Sequence, residues 1–218
     1  SEEKAQKHYE SGLALLEQGD VSRAMVEFRN VFSLDGKHQE ARQTYARLLR
    51  EQGSIREAYS QYLRLVEQYP DNIEGNRALA EMALDASNWD DAERYGRAAL
   101  RLAPDEPEVQ GIGAMIDYRA ALMNRDEDAG QAALQRAQAL VSQHPELVVP
   151  RRVILDSLVR QSDWDAVLAS LEEGLQHDPD SFEFQRMRAA ALFQLGRTDE
   201  LEACLLYTSP SPRDRTRS

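Results

Sequence analysis

Residues 17–28 read EQGDVSRAMVEF, residues 51–62 read EQGSIREAYSQY and residues 86–96 read ASNWDDAERYG. Gly19 and Gly53 lie 34 residues apart, and Ala24, Ala58 and Ala92 keep that spacing. So do Val21, Ile55 and Trp89. Working outward, Pro70 and Pro104, Pro145 and Pro179, and Trp164 and Thr198 obey the same period. Several unrelated residue types sharing one period define an internal repeat, and a repeat of this length is one supersecondary unit.

Each period reads as two helices. Leu13, Leu15 and Leu16 precede the Gln18-Gly19-Asp20 turn, and Ala24, Met25, Phe28, Val31 and Phe32 follow it at spacings of three and four. That spacing is one apolar helix face. Gly19 suits the left-handed position that closes a helix. Tyr45, Leu48 and Leu49, then Ala58, Tyr62, Leu65 and Val66, repeat the pattern around Gly53. Tyr69-Pro70-Asp71-Asn72 ends the unit, because Pro cannot continue a helix and Asp or Asn caps the next one. A single unit cannot bury its apolar face, so the units must stack.

These lines resemble the middle of tetratricopeptide repeats: a Gly-Asp turn, an apolar or aromatic residue, then Ala, an aromatic and a closing Pro. The resemblance implies an all-α fold, a right-handed α-solenoid of antiparallel helix pairs. It spans residues 3–206, with repeats at 5–38, 39–72, 73–106, 107–147 and 148–181 and a partial sixth at 182–206. Gly36 stands where repeat 1 would have its Pro, Ser87 and Ser162 where repeats 3 and 5 would have Gly, and Val167 where repeat 5 would have Ala. Repeat 4 is longer by seven residues. Met115, Ile116, Tyr118 and Leu122 there suggest an extended first helix, followed by a polar turn at 124–128.

Chemistry-bearing motifs are lacking. The four histidines, His8, His38, His144 and His177, have no metal-ligand spacing and read as solvated. Gly111-Ile-Gly113 has neither the third Gly nor the Lys-Ser of a phosphate loop, and reads as a close helix contact. No nucleophile elbow is present. The chain is therefore read as not an enzyme, with no cofactor and no metal. Its net charge of −12 over 218 residues opposes phosphate backbones and anionic lipid, so no nucleic-acid partner is expected. No apolar run is long enough to span a bilayer. One cysteine, Cys204, excludes a disulfide within the chain.

The resemblance further implies that first helices line a concave groove for another protein or peptide. By register, repeat 1 supplies Tyr9 and Leu13, and repeat 2 supplies Gln43, Arg47 and Arg50. Repeat 3 supplies Arg77, Glu81 and Leu84, repeat 5 Arg152, Asp156 and Val159, and repeat 6 Arg186. Arginine grips carboxylates at two points, so an acidic segment near Arg47, Arg50 and Arg77 is one expectation. The other is that these arginines pair with Glu74 or Glu81. The Lys and Asn clamp of chaperone-binding relatives is absent at Tyr9, Leu13, Gln43, Arg47, Arg77 and Glu81, so no chaperone is expected.

The array is read as residues 1–204, and 205–218 as a disordered tail. The tail's LeuTyrThrSerProSerPro start resembles a translated sequencing adapter, so it is read as non-native. More repeats or another domain would then follow. The opening 31 residues look like a mature chain after a lipidated N-terminus in bacterial envelope repeat proteins of export or exopolysaccharide assembly. That leans toward a periplasmic or envelope-anchored location with the signal missing, with cytoplasm as the alternative. Two further readings stay open: a substrate-recruiting region of a larger enzyme, and self-association through the incomplete sixth repeat.

Overall fold

A computed structural model describes residues 1–208. Twelve α-helices and no strand are present among them. The chain divides into two compact units, the first ending at Asp105 and the second starting at Glu106. The first contains α1 (Glu2–Glu17), α2 (Val21–Leu34), α3 (Gln39–Glu51), α4 (Ile55–Gln68), α5 (Ile73–Asp85) and α6 (Trp89–Leu102). The second contains α7 (Pro107–Asn124), α8 (Glu127–Gln143), α9 (Val149–Arg160), α10 (Trp164–His177), α11 (Phe182–Gln194) and α12 (Thr198–Thr208). Odd-numbered helices are the first of each pair and even-numbered ones the second. Every repeat window holds one such hairpin.

The hairpin turns are built from sequence. Gly19, Gly53, Ser87, Arg125, Ser162 and Gly196 all take positive φ, between 54° and 79°. At each, the amide bonds the carbonyl three residues back and the next amide the carbonyl five back, as in Gly53 to Arg50 and Ser54 to Leu49. That pair of hydrogen bonds satisfies carbonyls the helix end would orphan. The second helices then start on capping side chains: Asp20, Asn88, Asp126 and Asp163 each accept an amide three residues on.

Packing follows the same period. Ala24, Ala58 and Ala92 are fully buried, as expected where two helices approach closely. Phe28, Tyr62, Leu65 and Leu79 fill the core of the first unit, and Leu155, Leu171, Phe184 and Leu192 that of the second. Burying each such side chain contributes about 1.5–3 kcal/mol. A Cβ on Gly111 would meet Pro150 at 2.8 Å, so the Gly111-Ile-Gly113 stretch is a close contact of α7 with α9.

Three readings change. The lengthening of the fourth pair is shared: α7 has 18 residues and α8 has 17, against 13 and 14 in α5 and α6. Its turn is only Arg125 and Asp126, since residues 127 and 128 already belong to α8. His38 is not a solvated histidine. Its side chain is 9% exposed and accepts the Ala41 amide as the cap of α3, with the Tyr9 ring 4.8 Å away. Finally, α12 runs to Thr208, past the expected tail start at 205. The rest of that tail, 209–218, lies outside the described residues.

Candidate interaction face

The first helices of the first unit, α1, α3 and α5, carry the residues assigned to the groove. Tyr9 and Leu13 are half-buried, packed against the core. Arg47 reaches from α3 to α5 and grips Glu74 through Nε and Nη2 at 2.7 and 2.6 Å. This bond to Glu74 holds the guanidinium above its usual pKa. Arg50 donates to Glu81 at 3.4 Å, and Arg77 meets the same carboxylate at 3.5 Å. Gln43 and Gln39 accept from Asn72 at 2.7 and 3.0 Å. Leu84 is buried in the core and offers no groove surface. The two carboxylates named in sequence as rivals for these arginines are the ones the fold brings to them.

The second unit repeats the device. Arg152 of α9 grips Glu183 of α11 at 2.7 and 3.2 Å. Asp156 accepts from Tyr118 of α7 and from Arg160, both at 2.7 Å. Burial, then the hydrogen bond to Asp156, pushes the Tyr118 phenol up to about 12. Val159 is half-buried on the unit's core. Arg186 is exposed and, among the described residues, has no ion-pair partner. Within each unit the face is thus laced laterally, α3 to α5 in the first and α7 to α9 to α11 in the second, by ion pairs and side-chain hydrogen bonds.

Sequence reading missed a second set of polar residues. Arg42 and Arg151 are only 3% and 1% exposed. Arg42 donates to the Gly36 carbonyl at 2.9 Å and to Gln61 at 2.5 Å. Arg151 donates to the Pro145 carbonyl at 2.9 Å and to the Ser170 carbonyl at 3.0 Å. Asn76 and Gln185, one repeat further on in each unit, donate to the Pro70 and Pro179 carbonyls at 3.0 and 2.5 Å. In all four, the acceptor lies six residues upstream. The signal was available: Arg42 and Asn76, like Arg151 and Gln185, are one period apart.

Among the described residues no group of three or more His, Cys, Asp or Glu could hold a metal ion. No helix there is long and apolar enough to cross a membrane.

Stacked two-helix hairpins with a laterally bonded face of first helices define an α-solenoid repeat protein. Family models described as tetratricopeptide repeat match residues 15–82 and 154–204, together more than half of the chain. The chain belongs to the tetratricopeptide-repeat family, whose arrays in general are non-enzymatic scaffolds for protein–protein contacts. No curated protein sequence matches it. Among solved structures, a tetratricopeptide repeat protein from Parabacteroides merdae is similar with a TM-score of 0.62 at 14% identity, covering 96% of this chain and 81% of that one. The human IFIT1 dimer with m7Gppp-AAAA gives 0.65 at 16%, covering 93% and 49%. Pseudomonas aeruginosa pilF gives 0.57 at 12%, covering 94% and 90%. Identities this low show the fold alone.

Proposed function

We propose that the first-helix face of each unit binds a segment or helix of another protein, as a scaffold with no chemistry of its own. The carrying observation is the lateral lacing: it presents a preorganised face whose ordering cost is already met before a partner arrives. In the first unit, Tyr9 and Leu13 of α1 offer apolar contact, and Arg47 of α3 has a side chain that is 46% exposed. Gln43, Arg50, Arg77 and Glu81 would make the polar contacts. Arg152, Asp156 and the exposed Arg186 would do so in the second unit.

A purely acidic partner at Arg47, Arg50 and Arg77 would have to displace Glu74 and Glu81. We therefore infer a mixed apolar and polar segment there. A photo-crosslinking side chain at Tyr9 or Arg47, in the source cells, tests this reading. Capture of one defined protein from those positions, but not from Arg64 on the second-helix side, is expected. The Arg47→Ala variant should then weaken binding of that protein; equal capture from both sides would overturn the reading.

The envelope role rests on the look of residues 1–31. Reading the gene across both ends of this sequence tests it: a lipidation signal upstream supports it, and a catalytic domain downstream favours substrate recruitment instead.

A further inference from the structure

Arg42 and Arg151 show what a space between successive repeats can hold. The Arg42 guanidinium lies over the Phe32 ring, 4.4 Å from its centroid, between the Gly36 carbonyl and Gln61. Arg151 lies likewise between the Pro145 carbonyl and Ser170. One period later the residue is a shorter amide. Asn76 and Gln185 reach the turn carbonyl, but their side chains stop there. A cleft of about 330 Å³ remains beside Asn76, lined by Val66, Pro70 and Tyr95. These are the repeat equivalents of Phe32, Gly36 and Gln61. A cleft of about 420 Å³ remains beside Gln185, lined by Leu175, Pro179 and Cys204, which are equivalent again. Both clefts are therefore the space that an arginine of the chain fills in repeats 2 and 5.

The two clefts differ in charge. Arg188, in the second, has Glu172 at 3.8 Å, and Glu200 also lines that cleft. The first is lined by Arg94 and Arg101, two helical turns apart on α6, against the single carboxylate of Asp71. Both arginines are exposed, and among the described residues neither forms an ion pair. Many arginines of this acidic chain, Arg47, Arg77 and Arg152 among them, are engaged by its own carboxylates, so two unengaged arginines beside an apolar wall stand out chemically.

We propose that the cleft between α4, α5 and α6 is a second docking site, taking an acidic segment of a partner protein. An apolar side chain of that segment packs on Val66 and Tyr95, and its carboxylates pair with Arg94 and Arg101. Charge-assisted bonds of this kind are stronger than neutral ones. Apart from Asn76 of α5, the site is built from α4, α6 and the Pro70-Asp71 turn, and it shares no residue with those assigned to the first-helix face.

The chain supplies its own blocking variant. Asn76→Arg places in the cleft the group that repeats 2 and 5 already hold there. The probe is an acetylated, amidated peptide of alternating Glu and Leu, with the Lys–Leu peptide as control, titrated into isotopically labelled protein by NMR. The acidic peptide alone should shift the amides of Asn76, Tyr95 and Ala98. Asn76→Arg should abolish those shifts while keeping the thermal midpoint. Arg94→Ala with Arg101→Ala should weaken binding by about tenfold or more. The proposal is overturned by no shifts at millimolar peptide, by equal shifts with the basic peptide, or by shifts at Tyr9 and Leu13 instead. Undiminished binding in the double arginine variant overturns it too, and that variant decides should Asn76→Arg fail to fold.

Discussion

Arg42 in the first unit and Arg151 in the second occupy one place in the repeat, yet their charges are handled differently. Arg42 has no carboxylate: it stacks on Phe32 and bonds a neutral amide, and burial lowers its pKa. Arg151 adds Glu173 at 3.3 Å and the Ser170 hydroxyl at 3.2 Å. What they share is the bond to a turn carbonyl six residues upstream. The common requirement is therefore satisfaction of that carbonyl, which ties each hairpin to the turn before it; the counter-charge is optional. A buried carbonyl left unpaired costs about 1–3 kcal/mol.

The largest expected effect breaks this comparison at Arg151. Arg151→Ala leaves the Pro145 carbonyl without its donor and opens a cavity beside Phe184. We expect a loss of roughly 3 kcal/mol in urea unfolding. Arg42→Ala should cost less, roughly 2 kcal/mol, because Gln68 also donates to the Gly36 carbonyl at 3.0 Å and no carboxylate is stranded. Hydrogen exchange, resolved by unit, should place each loss in its own unit. Equal losses would show that Glu173 and Gln68 contribute nothing distinct.

The next effect separates the units by pH. Tyr62 in the first and Tyr118 in the second are both held up to about 12, chiefly by burial. A phenol whose folded pKa is raised stabilises fully below its unfolded value, about 10. That contribution disappears as pH rises through the folded value. The second unit should therefore lose roughly 2 kcal/mol between about pH 10 and 12, and the first unit more, because burial and the bond to Asp91 raise the Tyr59 phenol as well. Tyrosinate absorbance during alkaline unfolding reads this directly. Tyr118→Phe should remove the alkaline loss from the second unit alone, at the cost of its bond to Asp156. An unchanged second-unit profile would refute the assignment.

The period was legible because Gly, Ala and Pro cannot be exchanged freely at a left-handed turn, a close contact or a helix stop. Gly19, Ala58 and Pro70 announce their geometry. Buried arginines do not, since Arg is a surface residue by habit, and nothing in the identity of Arg42 distinguishes it from Arg47 five residues along the same helix. Only its position in the repeat does. The groove fared similarly. The register put Arg47 and Arg77 on one face, but pairing with Glu74 and Glu81 depends on distances between neighbouring hairpins, which one sequence does not encode locally. His38 misled because a side chain that caps a helix is drawn inward by a bond to backbone.

Glycine packing sharpens the contrast with opposite signs. A Cβ on Gly12 would meet the Phe28 ring at 2.6 Å, in the core of the first unit. Gly12→Ala should therefore destabilise by about 1–3 kcal/mol. A Cβ on Gly130 of the lengthened α8 would meet the Ala121 Cβ at 3.6 Å, an ordinary contact. Gly130→Ala should stabilise by about 0.5–1 kcal/mol through helix propensity. The same substitution thus lowers the thermal midpoint in one unit and raises it in the other.

The smallest effect concerns the turns. Two of three turns in the first unit use Gly, whereas Arg125 and Ser162 hold φ of 54° and 56° in the second. A left-handed residue with a Cβ costs about 1–2 kcal/mol relative to Gly. Part of that gain is offset, because Gly also has more freedom to lose from the unfolded chain. Arg125→Gly and Ser162→Gly should each stabilise by about 0.5–1 kcal/mol, and Ser87→Gly should do the same in the first unit. Gly53→Ala should lose a similar amount, with no clash involved, since no atom lies within 4 Å of the added Cβ. Because space is open at Gly53, that loss would isolate backbone strain from packing. A neutral Gly53→Ala alongside a neutral Arg125→Gly would mean the two hydrogen bonds of the turn, and not its φ, set the cost of reversing the chain.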